Sequence, residues 1–394
     1  VLFRSCAAAI SAAKNGVRTL LVEKDGYLGG AVVSQLVINI HSTNGVDFQG
    51  IWHEYARALT ARRAVSPMHG SIEKAHIGAT VDPEQVKYVW DELLTEADVE
   101  QLLHTHISTA VVEDGVIRGV IADTRAGRQA ILADRVIDCT GDGVVCHAAG
   151  VAWEQGADGK PWAMSLSKVF RVANVDLPDG VMPEEMWVSG KAALERAVMA
   201  GKYSTPVVTT MKRFLGYLNG WSWHKMMAPS RRREFRSVLS RVLRVDPLDP
   251  WDFTRAEREG RKQAMEAAQA LIECIPGFNK SYLLDTSNQI GLRSSRRIRC
   301  IAVSTNDDVQ QFTKYPDGIA RSSWEIDVWP SESYTDPGIP RHSEEWKERR
   351  DIMASGEYFD VRYGCLIAED VSNLLVAGRC ISAEHEAQAS CSAE

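Results

Sequence analysis

The order of apolar and polar positions in the first thirty residues predicts a helix followed by a buried strand. Residues 6–15 (CAAAISAAKN) have the short, alanine-rich side chains of a helix that packs closely on a sheet, and Gly16 is suited to end it. The nearly continuous apolar run VRTLLVE, residues 17–23, is typical of a buried parallel strand. A helix leading through a glycine into such a strand is half of a β-α-β unit, so we predict an α/β fold.

The same kind of pattern continues to about residue 150. A helix is predicted over 82–97, because Asp82 is a good N-cap and Pro83 suits the first helical turn. Strands are predicted within three further segments: 99–114, 116–124 and 135–138.

The middle of the chain differs from the first 150 residues in its amino-acid composition. Residues 157–350 hold most of the tryptophans and prolines, with amphipathic helices predicted near 231–244 and 254–274. The arginines of the first of these helices fall at helical spacing, which indicates a solvated helix face. After residue 355 the first pattern returns, with an apolar strand predicted at 374–376. The middle is therefore predicted to be a domain inserted into the first one.

Composition and charge narrow the class of protein. The 394 residues are 45% hydrophobic and 25% charged, as in a soluble globular enzyme, and the formal net charge of −7 argues against nucleic acid as a partner. No run of eighteen apolar residues predicts a membrane span, and no signal peptide is visible, so a cytoplasmic protein is expected. A targeting signal upstream stays open, because the N-terminus looks truncated. The eight cysteines are scattered without metal-ligand spacing, which fits a reducing compartment and predicts no metal site.

Two features near the N-terminus are suited to binding a nucleotide. Glu23 ends the predicted strand, where an acid in a dinucleotide-binding fold accepts hydrogen bonds from ribose hydroxyls. Alternatively it is a strand-end acid that faces water. Gly29 and Gly30 allow backbone amides to approach an anionic or planar ligand, although paired glycines also form ordinary turns.

The sequence Thr140-Gly141-Asp142-Gly143 directly follows the strand predicted at 135–138. A strand that ends in such a turn presses its backbone against a nucleotide cofactor. An ordinary hairpin is the alternative, because Asp-Gly is also a common hairpin turn.

Basic side chains and histidines supply the remaining candidates. Residues 290–299 place Arg293, Arg296 and Arg297 near an apolar strand, where guanidinium groups bind carboxylates well or form a solvated basic edge. His41 and His385 lie in loop-like surroundings rich in small residues, and each is either structural or in contact with a cofactor or substrate.

Taken in order, five segments resemble the FAD-dependent oxidoreductase family of flavoproteins with two dinucleotide-binding domains. They are AAAISAAKNGVRTLLVEKDGYLGG, LLTEADVEQLLHTHI, VIDCTGDGVVCHAAGVAWEQG, IGLRSSRRI and NLLVAGRCISAEHEA. The resemblance implies a Rossmann-like FAD/NAD(P)-binding domain made of residues 1–156 and 355–394. An α+β substrate or cap domain, residues 157–354, is inserted into it.

The resemblance also implies roles for single residues. The implied cofactor-binding positions are Glu23 and Lys24 at the adenosine ribose, Gly29 and Gly30 near the pyrophosphate and flavin, the backbone of Ala110 and Val111 beside the adenine, Thr140, Gly141 and Asp142 as a second FAD contact, and Gly378 and Arg379 near the flavin. The candidate catalytic groups on the substrate side are His41, Arg293, Arg296 and His385, with the two arginines as an anion clamp.

Both ends of the sequence depart from the family pattern. Members begin with a strand and a G-x-G-x-x-G turn that holds the FAD pyrophosphate, whereas VLFRS stands here in that place and no glycine precedes Gly16. The family also continues past HEA into a helix that faces the flavin, whereas this sequence stops after ASCSAE. We therefore expect a domain that lacks its first strand and phosphate loop, and weak FAD retention by residues 1–394 alone.

The implied function is an FAD-dependent oxidoreductase that transfers hydride between a small-molecule substrate and the flavin. Two alternatives stay open: a nucleotide-binding scaffold of the same shape without turnover, and an inactive fragment without the pyrophosphate loop. A homo-oligomer is compatible with the sequence. The substrate, the electron acceptor and the catalytic base are not indicated.

Overall fold

The computed structural model describes residues 4–40, 50–67, 79–176, 184–204, 206–210, 233–334 and 344–391. The helices are α1 (Arg4–Lys14), α2 (Gly30–Ser34), α3 (Ile51–Ala61), α4 (Pro83–Glu96), α5 (Val144–Ala148), α6 (Glu184–Met199), α7 (Pro250–Cys274), α8 (Asn306–Gln310), α9 (Glu344–Ala354) and α10 (His385–Cys391), and a 3-10 helix spans Tyr363–Leu366.

Short strands lie between these helices. They are β1 (Leu20–Val22), β2 (Asn39–Ile40), β3 (Val65–Pro67), β4 (Ala79–Val81), β5 (Glu100–Leu102), β6 (His106–Glu113), β7 (Val116–Thr124), β8 (Gly127–Leu132), β9 (Val136–Asp138), β10 (Trp153–Gln155), β11 (Phe170–Ala173), β12 (Phe235–Ser237), β13 (Tyr282–Thr286), β14 (Arg296–Ile298), β15 (Gly318–Ser322), β16 (Phe359–Arg362) and β17 (Leu374–Val376).

The first helix and strand form as predicted. Helix α1 ends before Gly16, whose φ of 79° is the left-handed conformation that favours glycine, and β1 pairs in parallel with β5. Helix α4 covers this pair and is capped by Asp82, whose carboxylate accepts from the Glu84 amide at 2.9 Å. Ile10 of α1 and Trp90 of α4 are buried in the shared core. Local capping and burial thus fix this part of the fold.

A second parallel pair joins distant parts of the sequence. Strand β17 pairs with β9, with Leu374 opposite Val136 and Val376 opposite Asp138. In the part of the chain that the structure describes, β1 pairs with β5 alone and β9 with β17 alone. Parallel pairs connected through helices confirm the predicted mixed α/β class.

A three-stranded antiparallel sheet of β6, β7 and β8 packs beside the β9–β17 pair. A hairpin turn at Asp114-Gly115, with φ of 51° and 72°, connects β6 to β7. Val120 of this sheet shares a hydrophobic cluster with Val145 of α5 and Val376 of β17. The antiparallel sheet is therefore fixed directly beside the turn that follows β9.

The middle of the chain contains a second sheet, in the order β12-β11-β13. One face of this sheet packs against α7, which extends the predicted helix at 254–274 toward the N-terminus. Phe170 and Phe235 lie in that core together with Leu271 of α7. The core contacts account for the sheet-on-helix arrangement of this segment.

The predicted helix at 231–244 is wrong over the residues that are described. Strand β12 lies there instead, and the segment after it is largely irregular. Phe235 is buried in the core, while Arg236 and Arg241 are also buried, with 6% and 5% of their surface exposed. Arg241 donates from Nε to Ser165 Oγ at 3.1 Å and from Nη2 to the Pro330 carbonyl. These arginines are buried by contacts with residues distant in the sequence. The prediction of a solvent-exposed helix face, which rested on their spacing, is therefore wrong.

The end of the described chain differs in one respect from the sequence interpretation. That interpretation placed a flavin-facing helix beyond the HEA segment, whereas α10 already begins at His385.

All eight cysteines are free thiols. Among the described helices, none has the length and apolar character needed to span a membrane.

Candidate functional site

The turn after β9 is built around the buried carboxylate of Asp138. Its Oδ1 accepts from the Thr140 amide at 3.0 Å and from the Thr140 hydroxyl at 2.7 Å. Its Oδ2 accepts from the Cys146 amide in α5 at 2.9 Å. Asp138 is only 1% exposed, and these three hydrogen bonds offset the cost of burying its carboxylate. The turn leads into α5, so the hairpin alternative for Asp142-Gly143 is wrong.

Asp142 connects this turn to two other segments. Its Oδ1 forms an ion pair with Arg379 Nη2 at 2.5 Å and accepts from Ser295 Oγ at 2.7 Å. Burial acts to raise the pKa of the Asp142 carboxyl, but the Arg379 guanidinium and the Ser295 hydroxyl outweigh it and hold that pKa below its usual value. Asp142 is therefore a carboxylate anion at neutral pH.

The glycines of the turns leave no room for larger side chains at two positions. At Gly141, with φ of 75°, a Cβ would lie 3.0 Å from the Arg379 guanidinium, and at Gly143, with φ of 63°, it would lie 2.5 Å from Ile298 Cδ1. Gly378, after β17, has φ of 110° and nothing within 4 Å of a Cβ position. The backbone is thus tightly enclosed at the first turn and open at Gly378.

Glu23 and Lys24 follow β1 at the carboxyl end of the β1–β5 pair. The Glu23 carboxylate accepts from the Asp25 amide at 3.0 Å, and burial raises its pKa despite that bond. Lys24 is exposed, and its charge helps to lower the pKa of Asp142. The segment after β1 therefore lies within electrostatic reach of the turn after β9.

Gly29 and Gly30 form the entry to α2. Gly29 is the N-terminal flanking residue with φ of 111°, and Gly30 has φ of 50°. A Cβ at Gly29 would lie 2.7 Å from Val33 Cγ2 and 2.9 Å from Val86 Cγ1. Gly29 is thus required for close packing of α2 on α4. This packing role is compatible with an additional contact between Gly29 and a ligand.

Ala110 and Val111 lie in β6, opposite Val120 and Gly119 of β7. Ala110 is half-buried against the cluster that contains Val145, just after the Thr140–Gly143 turn. The strand predicted to approach the adenine is therefore next to that turn.

Arg296 belongs with the turn after β9. Its Nη1 donates to the Asp142 carbonyl at 3.0 Å, and its guanidinium lies 5.1 Å from the centre of the Trp153 ring. Arg293, three residues earlier, instead lies 5.7 Å from the centre of the Trp329 ring. The two members of the predicted anion clamp therefore have different partners.

His385 is the first residue of α10 and lies near Arg297. Burial, followed by the positive charge of Arg297, lowers the pKa of His385 to about 4, against the opposing effect of Asp158. Its imidazole is therefore neutral at pH 7. His41, the other candidate histidine, lies outside the described residues.

Several residues of this region were not singled out from the sequence. Arg4 Nη1 donates to the Gly378 carbonyl at 3.1 Å and Nη2 to the Cys391 carbonyl, which links α1 to the turn after β17 and to α10. Gln388 Nε2 donates to the Arg379 carbonyl. Asp138 alone carried a usable signal, because an acid at the end of a strand that precedes a Thr-Gly turn is a good acceptor for that turn's amides.

Buried polar atoms that lack a hydrogen-bond partner show whether these residues have hydrogen-bonding capacity left for a cofactor. Among the described residues, five of these atoms belong to β14, to Arg379 and to α10: Nε of Arg296, Arg297 and Arg379, Nδ1 of His385, and Oε1 of Gln388. Such atoms are costly to bury and in native proteins are commonly satisfied by water or a ligand. Donors next to the open Gly378 backbone fit a large polar cofactor. No group of side chains in the described ranges has the composition of a metal site.

An acid after β1, a glycine-bearing turn after β9 and a second one after β17 define a nucleotide-binding α/β protein, because such folds bind ligands at the carboxyl ends of their parallel strands. The family model described as FAD dependent oxidoreductase matches residues 4–391, and the chain belongs to that family. FAD is the family's cofactor, and the family resemblance seen in the sequence is confirmed.

Solved structures with some similarity to this chain include three that differ in activity. A geranylgeranyl bacteriochlorophyll reductase-like protein from Thermoplasma acidophilum is 16% identical with a TM-score of 0.39, over 76% of this chain and 65% of that one. The glycerol-3-phosphate dehydrogenase from Bacillus halodurans, complexed with FAD, is 16% identical with a TM-score of 0.28, over 43% of this chain and 38% of that one. CabE, an aromatic hydroxylase from angucycline biosynthesis, is 16% identical with a TM-score of 0.31, over 44% of this chain and 35% of that one.

The matched region is less than two thirds of the length of each of these three proteins. At such TM-scores their likeness adds nothing to the family assignment. No curated protein matches the sequence.

Proposed function

We propose that this protein is an enzyme, an FAD-dependent oxidoreductase that acts on a small-molecule substrate. When bound, FAD supplies the redox chemistry by exchanging hydride with the substrate, and the protein contributes binding, orientation and exclusion of water. The observation that carries the proposal is the ion pair between Asp142 and Arg379. It joins two turns, each at the carboxyl end of a parallel strand, beside unpartnered buried polar atoms.

The residues after β1 would hold the adenosine half of the cofactor. We assign Glu23 and Lys24 to the ribose, because the partners described for the Glu23 carboxylate are backbone amides of the next two residues, which leaves acceptor capacity for hydroxyl groups. The backbone of Ala110 and Val111 would lie beside the adenine.

The glycine-bearing turns would hold the rest of the cofactor. We assign the backbone at Gly29 and Gly30, the turn at Thr140, Gly141 and Asp142, and the turn at Gly378 and Arg379 to this role. Arg379 and Arg296 supply positive charge there, since Asp142 neutralises only one of the two.

The substrate-side groups include one histidine with a defined protonation state. His385 is neutral at pH 7, so it offers one donor and one acceptor nitrogen rather than a positive charge. His41, Arg293 and Arg296 complete the proposed set. Arg296 has its described contacts on the cofactor side, whereas Arg293 lies toward Trp329.

We also propose the domain organisation that the sequence indicates. Residues 1–156 and 355–394 form the FAD-binding domain, supported by the pairing of β9 with β17 across the whole middle segment. Residues 157–354 form an inserted substrate or cap domain, supported by the separate core of β11, β12 and α7. A cytoplasmic location and a homo-oligomeric state are likewise proposed.

The flavin content of the purified protein tests the proposal directly. A folded protein that carries FAD is yellow, and denaturation releases flavin whose absorption gives the molar ratio of FAD to protein. Reconstitution with added FAD follows the same absorption. A full-length protein that is folded by circular dichroism yet binds no FAD at any concentration contradicts the flavoenzyme proposal. It would favour the scaffold or inactive-fragment alternatives.

Glu23→Ala provides a residue-specific version of this test. The substitution should weaken FAD binding by about tenfold, because one or two hydrogen bonds to a charged acceptor are lost. Glu100→Ala is the matched control, since Glu100 is 56% exposed at the side chain and forms an ion pair with the exposed Arg18. Equal FAD affinity of the two variants would remove Glu23 from the site.

A further inference from the structure

The sheet of β11, β12 and β13 has a charged face opposite its apolar one. Phe170 and Phe235 point into the core against α7. Arg171 of β11 therefore points to the opposite face, together with its directly opposed neighbours Arg236 of β12 and Asp285 of β13. Two arginines thus lie side by side on one half-buried sheet surface.

The charge of Arg171 is neutralised by neighbouring acids. Its Nε donates to Asp285 Oδ1 at 2.9 Å and its Nη2 to Asp285 Oδ2 at 2.5 Å, which is a bidentate pair. Its Nη1 lies 3.5 Å from Glu234 Oε2. The acids near this face are therefore already engaged by Arg171.

The charge of Arg236 is not neutralised in this way. Only 6% of Arg236 is exposed, and its single described hydrogen bond runs from Nε to the Leu36 carbonyl at 2.9 Å. No described carboxylate lies within ion-pair distance of Arg236. Burial, together with the nearby positive charge of Arg293, lowers the pKa of Arg236 to about 10. A largely buried guanidinium without an ion-pair partner is costly, and an anion bound at its terminal nitrogens would offset that cost. Nη1 and Nη2 of Arg236 are not among the buried atoms without a partner, so they are open to such an anion.

The position of Arg236 places it beside the proposed cofactor segment. Leu36 follows α2, the helix that begins at the Gly29-Gly30 turn. The Gln289 amide, next to β13, donates to the Ser34 carbonyl at the end of the same helix at 2.9 Å. The charged face of the inserted sheet therefore covers the segment that leads away from the paired glycines.

We infer that Arg236, with Arg293 beside it, binds a carboxylate group of the substrate. The inference rests on the proposed function, which it deepens by naming the chemical class of the substrate. The free edge of the Arg236 guanidinium presents its Nη1 and Nη2 donors in the planar geometry that a carboxylate accepts. Arg293 is exposed, and its guanidinium lies 5.7 Å from the centre of the Trp329 ring.

A carboxylate fits this face better than a phosphate does. A carboxylate carries one negative charge, which matches the single uncompensated buried guanidinium. A phosphate dianion has more acceptor oxygens and is commonly met by backbone amides at a helix N-terminus or a glycine-rich loop. The described contacts around Arg236 consist of a carbonyl oxygen and a second guanidinium, and they supply no such amides.

Titration of the protein with sodium benzoate, sodium succinate and inorganic phosphate, followed by calorimetry, tests the inference. The two carboxylates should bind at constant ionic strength, and phosphate should bind more weakly. Arg236→Met should weaken carboxylate binding by about tenfold or more, and Arg236→Lys, which keeps the charge without the planar fork, should be intermediate. Arg18→Met is the matched control, because the Arg18 side chain is 89% exposed and far along the sequence from this sheet.

Each other outcome has a defined meaning. Carboxylate affinity that is unchanged in Arg236→Met, or phosphate binding tighter than carboxylate binding, overturns the inference. If Arg236→Met does not fold, Arg236→Gln, which keeps a donor for the Leu36 carbonyl, takes its place. Flavin content measured in the same samples separates the two claims. Yellow protein without carboxylate binding contradicts only the inference, whereas colourless folded protein with Arg236-dependent binding contradicts only the flavoenzyme proposal.

Discussion

Asp142 and Arg379 lie 237 positions apart in the sequence and form an ion pair of 2.5 Å. The pair joins the turn after β9 to the turn after β17, whose strands are parallel neighbours. Ser295 contributes a third segment through its bond to the same Asp142 oxygen. The Asp142 carboxylate thus connects three segments that are distant in the sequence.

Removal of either charge of this pair should destabilise the protein. Arg379→Met leaves the mostly buried Asp142 without its ion-pair partner and should lower the free energy of unfolding by about 3 kcal/mol. The double variant with Asp142→Asn should recover part of that loss, with a coupling energy of about 1–3 kcal/mol in urea unfolding. Arg18→Met, at an exposed ion pair, should change stability by less than about 1 kcal/mol. Additive effects of the two substitutions would show that the pair is not formed.

Asp138 should be the residue on which the turn after β9 depends most. Asp138→Ala leaves the Thr140 amide, the Thr140 hydroxyl and the Cys146 amide without their acceptor, and should cost about 3 kcal/mol or more. Asp134→Ala, an exposed acid just before the same strand, should be nearly neutral. Urea denaturation midpoints of the two variants compare them directly. Equal midpoints would contradict the role given to Asp138.

The buried imidazole of His385 should make stability depend on pH. The folded protein keeps a His385 pKa of about 4, whereas the unfolded chain has the ordinary value of 6.5. The unfolded state therefore takes up a proton first, and stability should fall as the pH drops from about 6.5 to about 4. His385→Gln should flatten the unfolding free energy in that window, and His106→Gln, at an exposed position of β6, serves as the control. A His385 ring proton that titrates near pH 6.5 by NMR would falsify the assignment.

Gly29 should tolerate no side chain. Gly29→Ala combines a positive φ with contacts of 2.7 Å to Val33 and 2.9 Å to Val86, and should cost about 3 kcal/mol. Gly16→Ala has a positive φ but open space, and should cost about 1 kcal/mol. Thermal unfolding of both variants separates steric overlap from backbone strain. A smaller loss for Gly29→Ala than for Gly16→Ala would show that α2 moves freely away from α4.

Local signals in the sequence predicted the elements that local contacts stabilise. Helix α4 was predicted from Asp82 and Pro83, and its cap forms as expected. Strand β12 was not predicted, because Arg236 and Arg241 are held by carbonyl groups that are remote in sequence. The spacing of arginines along the chain does not show which carbonyl groups, distant in the sequence, will accept hydrogen bonds from them in the fold.

The same distinction applies to the candidate site. The turns around Asp142 and Arg379 were recognised singly, each from its own glycine and strand. Their ion pair depends on strand pairing across more than two hundred residues, which no local pattern contains. Arg4 gave no signal at all, since its acceptors are two carbonyl oxygens near the other end of the described chain.

The pairing of β9 with β17 also has a consequence for the order of folding. Val136 meets Leu374 only after the whole intervening segment has been synthesised, and closing so long a loop is entropically costly and slow. The core of β11, β12 and α7 lies entirely within that segment and needs no residue of β17. We therefore expect the core of the middle segment to form during synthesis before β9 can pair with β17. Until then the unpaired strand β9 is expected to be a site prone to aggregation or chaperone binding.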